Sequence, residues 1–135
     1  MHEVRINTEF DIDEIFQIYM EERWWRPSKC QKTLLESAIK RSFAYACAYE
    51  GKRIVGVGRV SSDGISDAYI HDVGVKKEYR GKGIGREIVK ALLEWLDSKG
   101  IDWIVLIAKP GTEKFWKHMG FFEMNGFTAM RHVKQ

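Results

Sequence analysis

Two cysteines and two prolines in 135 residues leave little room for covalent stapling. Cys30 and Cys47 stand 17 positions apart and match no metal-ligand spacing. The four histidines, His2, His71, His118 and His132, are scattered without an HxxxH pair, so no metal is expected. Long apolar runs are also missing. Trp103 to Ala108, for instance, has six residues, against the ~20 that a membrane-spanning helix needs. The opening Met1-His2-Glu3-Val4-Arg5 is charged and lacks the apolar stretch of a signal peptide. A cytoplasmic protein without a membrane partner is the expectation. Neither sign of charge dominates, with 22 Lys and Arg against 19 Asp and Glu. Acidic residues are interspersed, as in Glu21-Glu22 and Glu113-Lys114, and no helix-turn-helix or RNA-binding signature occurs. Nucleic acid is therefore not an expected partner.

What is present is a core-forming composition, 44% apolar and 13% aromatic, with no repeat or linker. One domain over residues 1–135 is expected. Val4 to Ile6 reads as a first strand. Asp11 looks like an N-cap with Glu14 three residues on, and Ile12, Ile15, Phe16 and Tyr19 follow at helical spacing. That helix should end before Pro27. A second should run from Gln31 to Arg41, with Leu34, Leu35, Ala38 and Ile39 on one face. Phe43 to Tyr49 and Arg53 to Val60 flank a Glu50-Gly51-Lys52 turn as a β-hairpin, and Ala68 to Val75 is a third strand. A long helix carries the stripe Ile84, Ile88, Leu92 and Leu96 up to Gly100. Trp103 to Ala108 reads as a strand buried on both faces. A short helix from Thr112 to Met119 precedes two strands, Phe121 to Met124 and Phe127 to His132. The expectation is an α/β fold with a mixed sheet, about seven strands and four helices in the order β-α-α-β-β-β-α-β-α-β-β.

Between the third strand and the long helix lies Arg80-Gly81-Lys82-Gly83-Ile84-Gly85-Arg86. Glycines let a ligand approach the backbone, and the first amides of a helix lack internal partners and sit at its positive end. Arg80, Lys82 and Arg86 add charge, so the segment suits a phosphate or diphosphate. The alternative is a plain flexible loop and helix start. A P-loop would need GxxxxGK with Ser or Thr, which is absent, and the GxGxxG pattern fails at Arg86.

Asp72-Val73-Gly74-Val75 followed by Tyr79 to Gly85 resembles the acetyl-CoA signature R/Q-x-x-G-x-G/A of the GNAT superfamily of N-acetyltransferases. Lys114-Phe115-Trp116-Lys117-His118-Met119-Gly120-Phe121 is similar to that family's later FYxxxGF segment, at the usual separation. The resemblance implies a GNAT-like acyl-CoA acyltransferase fold and transfer of acetyl from acetyl-CoA, as acyl donor, to a primary amine of a small molecule, peptide or protein. It implies that the backbone of Val73, Gly74 and Val75 pairs with the pantetheine arm and that the amides of Gly81 to Arg86 hold the diphosphate. Phe115 and Trp116 would lie near the cofactor on the opposite wall.

An ammonium has no lone pair, so acetylation needs a base near neutral pKa. His71 is the candidate, in a register resembling a proton-relaying histidine of serotonin N-acetyltransferase-like members. Two residues before Val73, it should share Val73's face, while Asp72 faces away and bonds locally; plain packing of His71 is the alternative. Tyr69 occupies a register where some members carry a glutamate base. The family's tyrosine, able to protonate the leaving thiolate, is Trp116 here. Tyr69 or water would then act, or the thiolate, of thiol pKa ~8.5, leaves unaided. That replacement also motivates an alternative function, a catalytically weak acyl-CoA-binding sensor module. Trp24 and Trp25 cannot both face one core on a helix, so one is a candidate acceptor-binding surface. Phe121, Phe122 and Phe127 leave room for a homodimer contact.

Overall fold

The computed structural model describes residues 2–24 and 32–134. β1 (Glu3–Ile6), β2 (Ala44–Glu50), β3 (Arg53–Ser62), β4 (Asp67–Val75) and β5 (Trp103–Val105) form one sheet in sequence order. β1 to β4 pair antiparallel, and β5 returns parallel to β4. Four α-helices complete the order: α1 (Ile12–Glu22), α2 (Lys32–Lys40), α3 (Ile84–Ser98) and α4 (Glu113–His118). No helix among the described residues is long and apolar enough to cross a membrane.

The sheet is covered on both faces. Ala44, Ala46 and Ala48 of β2 pack in the cluster with Ile84, Ile88, Leu92 and Leu96 of α3. Tyr45, Cys47 and Tyr49 between them pack with Ile15, Ile18 and Tyr19 of α1 and with Leu35 and Ile39 of α2. Strict alternation thus buries β2 almost throughout. α3 comes close to the sheet because β3 carries glycine beneath it: a Cβ at Gly58 would stand 2.7 Å from Ile88 Cγ2.

Several expectations are corrected. Among the described residues there are five strands, not seven, and the two expected final strands are absent from the order. Residues 122–134 are exposed and make no ladder with the sheet among the described residues, and a strand without a neighbour's backbone has nothing to pair with. Trp103 to Ala108 is not buried on both faces: only 103–105 pair, at the sheet edge, with Trp103 and Ile107 exposed. Asp11 does cap α1, accepting from the Asp13 amide at 2.9 Å. Glu14 does not reach back to close a capping box; its carboxylate accepts from the Ile54 amide at 2.9 Å instead. α1 does end before Pro27 as expected, stopped at Arg23, which is left-handed at φ 56 with its amide returned to Met20. Leu34 is exposed, so α2 buries a narrower stripe than expected.

Gly58→Ala should lower stability by about 1–3 kcal/mol through overpacking against Ile88 and Leu92. Reduced unfolded-state entropy returns only about 0.4–1 kcal/mol. The urea midpoint should fall without a change in slope; an unchanged midpoint would refute the tight α3–β3 contact.

Candidate active site

β4 and β5 pair only as far as Tyr69 opposite Val105. Beyond that point they part, and a cleft of ≈ 380 Å³ opens between Ile70–Val75 on one side and Leu106, Ile107 and Lys109 on the other. Glu22, Trp24, Arg80, Gly85, Thr112, Phe115 and Trp116 complete its walls. The two resembling segments of the sequence therefore meet across one opening.

A bulge shapes the β4 wall. Asp72 has φ 54, in the left-handed region, and the β3–β4 register shifts here, between Val57–Gly74 and Arg59–His71. An extra residue turns every later side chain over. Val73 and Val75 consequently pack with α3, whereas Asp72 points to α1. The expected sharing of a face by His71 and Val73 is thus reversed, and Asp72 shares His71's face. Nor does Asp72 bond locally. Its Oδ2 accepts from Tyr19 Oη at 2.9 Å and from Arg59 Nε at 2.9 Å. Burial and the Asp72 charge push the Tyr19 phenol well above its ordinary range. Burial opposes the Arg59 charge, but Asp72 and Tyr19 more than offset it, so the guanidinium stays firmly protonated. Aspartate enters the left-handed region more readily than most residues, and here two donors from separate elements hold its carboxylate. The sequence carried no local signal for this triad, since its members are 13 and 53 residues apart.

His71 lines the cleft, half-buried, with Nε2 2.7 Å from Ser61 Oγ. Burial, then the nearby Arg59 charge, lower its pKa below the usual 6.5, with Asp72 partly opposing. The imidazole is therefore neutral at pH 7. Tyr69 does not line the cleft; its ring packs edge-on to His71 with centroids 4.7 Å apart. Trp24 lines the cleft and lies over β4, where a Cβ on Gly74 would meet its ring at 2.6 Å. Trp25 lies outside the described residues. Cys47 is buried and its thiol is pushed up to about 12, which excludes it as a nucleophile.

At one end of the cleft α3 begins. Gly81 and Gly83 adopt φ 79 and φ 82, a conformation that side chains resist, and Gly83 caps the helix without any side-chain bond to its amides. The first amides of a 15-residue helix are left to a ligand. Ile84 is buried in the core, so it offers the site its backbone alone. Arg86 and Lys82 are exposed beside this turn, Lys82 lying over the Tyr79 ring. Arg80 is more committed: it pairs with Glu22 and donates from Nε to the Val75 carbonyl at 3.0 Å. On the far wall Phe115 touches the position a Gly85 Cβ would take, and Trp116 stacks edge-on between Phe115 and Phe121.

A family model described as Acetyltransferase (GNAT) family matches residues 12–121. The chain belongs to the GNAT family of acetyltransferases. This GNAT chain is 30% identical over 112 residues to a ycf52-like N-acetyltransferase of Prochlorococcus marinus, covering 82% of the chain and 62% of the relative. It spans about half the length of the relatives it matches. A GNAT-family acetyltransferase of Streptococcus pneumoniae superposes with TM-score 0.81 at 23% identity, over 100% of this chain and 99% of that one. AAC(6')-Iy, solved with the bisubstrate analogue CoA-S-monomethyl-acetylneamine, superposes with TM-score 0.76 at 15% identity over 99% of each chain. These two likenesses establish the GNAT fold of the whole described chain.

Tyr19→Phe should destabilise the protein by about 1.5–3 kcal/mol, the range for a hydrogen bond to a charged group. Chemical denaturation with intact far-ultraviolet dichroism reads this directly. A loss under a few tenths of a kcal/mol would show that Arg59 alone holds Asp72.

Proposed function

We propose that this chain transfers an acetyl group from acetyl-CoA to a primary amine of a small molecule or peptide. The observation that carries the reading is the continuity of one cleft. It runs from free helix amides flanked by Lys82 and Arg86 to a neutral imidazole, along a strand edge that β5 has released. The donor's diphosphate fits the turn at Gly81 to Arg86, and its pantetheine arm fits the open edge of Val73, Gly74 and Val75. No metal enters the scheme.

His71 acts as the base. For this its Nε2–H donates to Ser61 Oγ, which leaves the Nδ1 lone pair to take a proton from the ammonium, directly or through water. The freed amine nitrogen bonds to the thioester carbonyl carbon, and the carbon–sulfur bond then breaks. The second amine proton passes to solvent, and the sulfur departs as thiolate or thiol. Trp116 supplies no proton, because an indole N–H is not a useful acid. A leaving thiol of pKa ~8.5 tolerates that. Tyr69 keeps the His71 ring in place from behind rather than serving as acid. Trp24 forms the acceptor side of the cleft, where an amine can lie against its face.

Thiol release from acetyl-CoA against arylalkylamines, polyamines, amino sugars and short peptides tests the reading. One class should turn over, with kcat reduced about 10²–10⁴-fold in His71→Ala. Silence across the panel with acetyl-CoA still bound in calorimetry would point to a sensor; no binding would overturn the proposal. The acidic limb of kcat/KM should lie below pH 6.5, because the depressed pKa keeps His71 unprotonated to lower pH. In Arg59→Gln the limb should move up, since the repelling charge is gone. A limb that stays put would remove His71 from the role of base.

A further inference from the structure

One wall of the cleft carries an amine that transfer to an outside acceptor leaves unused. Among the described residues that line the cleft, Lys109 is the only lysine. The guanidinium of Arg80, the other cation there, pairs with Glu22 and is no acyl acceptor. Elsewhere in the chain Lys32, Lys40 and Lys117 hold carboxylates, and Lys82 and Lys99 lie over aromatic rings. The Lys109 side chain has no such partner among the described residues. Glu113, four residues on, accepts from the Gly111 amide at 2.9 Å instead.

The backbone that carries this amine is braced. The Lys109 carbonyl accepts from the Thr112 amide at 3.0 Å and from Thr112 Oγ1 at 2.5 Å. Pro110 follows with its fixed φ, and Gly111 turns the chain at φ 89. A free side chain thus starts from a fixed point. Strand register brings it to the reacting end of the cleft. β5 runs parallel to β4, with Asp67 opposite Trp103 and Tyr69 opposite Val105. Carried past the point where the strands part, that offset sets Lys109 level with Val73, or with Gly74 once the extra residue at Asp72 is counted. A donor arm laid along Val73 to Val75, with its diphosphate at the start of α3, puts its acetyl group between Val73 and His71. A lysine Nζ stands roughly 6 Å from its Cα, and a strand advances about 3.3 Å per residue. The amine therefore reaches about two residues along the gap, to the level of the acetyl group.

We propose that Lys109 is an internal acceptor, which the protein acetylates in cis from acetyl-CoA. The inference rests on acetyl-CoA being the donor bound in this cleft. The Lys109 ammonium gives one proton to His71 Nδ1, directly or through water. Its nitrogen then bonds to the thioester carbonyl carbon, the carbon–sulfur bond breaks, and the second amine proton passes to solvent or to the departing sulfur. The products are an Nζ-acetyl-lysine and CoA, and no further reactant is needed. Capping turns a cation on the cleft wall into a neutral amide. A chain with no outside amine at hand consumes one acetyl group and stops.

Incubation of the full chain with acetyl-CoA and no added amine tests this, read by intact-mass and peptide mass spectrometry beside thiol release. One acetyl group per chain should appear on Lys109, with one equivalent of thiol. Its rate per chain should be unchanged on dilution of the protein, because acceptor and donor site belong to one molecule. His71→Ala should slow the step by about 10²-fold or more, and in Lys109→Arg no other lysine should take up the group. Exposed Lys52 reports direct chemical acetylation and should label equally slowly with and without His71. Acetyl-CoA bound in calorimetry with Lys109 unmodified would overturn this inference and leave transfer to outside amines standing, whereas absence of binding would overturn both. Labelling of Lys109 no faster than Lys52, slower on dilution, or unchanged in His71→Ala would also overturn it.

Discussion

The site depends on the Asp72 carboxylate and the two donors that hold it. β4 could run flat beside β3, with its alternation unbroken, if the left-handed residue at 72 were not pinned by Tyr19 from α1 and Arg59 from β3. With it pinned, the strand turns over after His71. Val73 and Val75 go to α3, Gly74 comes under Trp24, and the strand's free edge faces the gap left by β5. A charged group half-removed from water is expensive unless fully partnered. The same partnering surrounds His71 with a fixed positive neighbour, Arg59. Backbone geometry and proton affinity in the cleft thus share one small set of side chains.

The second support is the close seating of α3. Gly56 and Gly58 leave space in β3 that Ile84, Ile88 and Leu92 occupy, and the helix start is carried with them to the mouth of the cleft. The anion-binding end is therefore positioned by core packing rather than by the loop that precedes it.

The elements through β5 were legible in the sequence because their period is local. The stripe of α3 and the alternation of β2 follow from which faces must be buried. The glycine turn and the Phe115-Trp116 pair were legible as well, through their spacing. The bulge was not, because alternation was extrapolated across Asp72, although aspartate is depleted in strands and tolerant of the left-handed region. The final strands failed for a different reason. The apolar pattern of Phe121 to His132 does describe strand-forming residues, but pattern reports what a segment wants to bury and not where its partner lies. The exposed face of Leu34 is the same lesson on a helix.

Trp24 and Gly74 carry a consequence for how such a chain can change. The indole fills the volume that any side chain at 74 would need, so no other residue fits there while the ring stays. Loss of the ring would open that volume and lift the bar on position 74. The two positions, 50 residues apart along the chain, form a single unit of permitted variation. Drift at one must wait for drift at the other, which makes the α1 end of the cleft slow to diversify even though it is the wall against which acceptors would be distinguished.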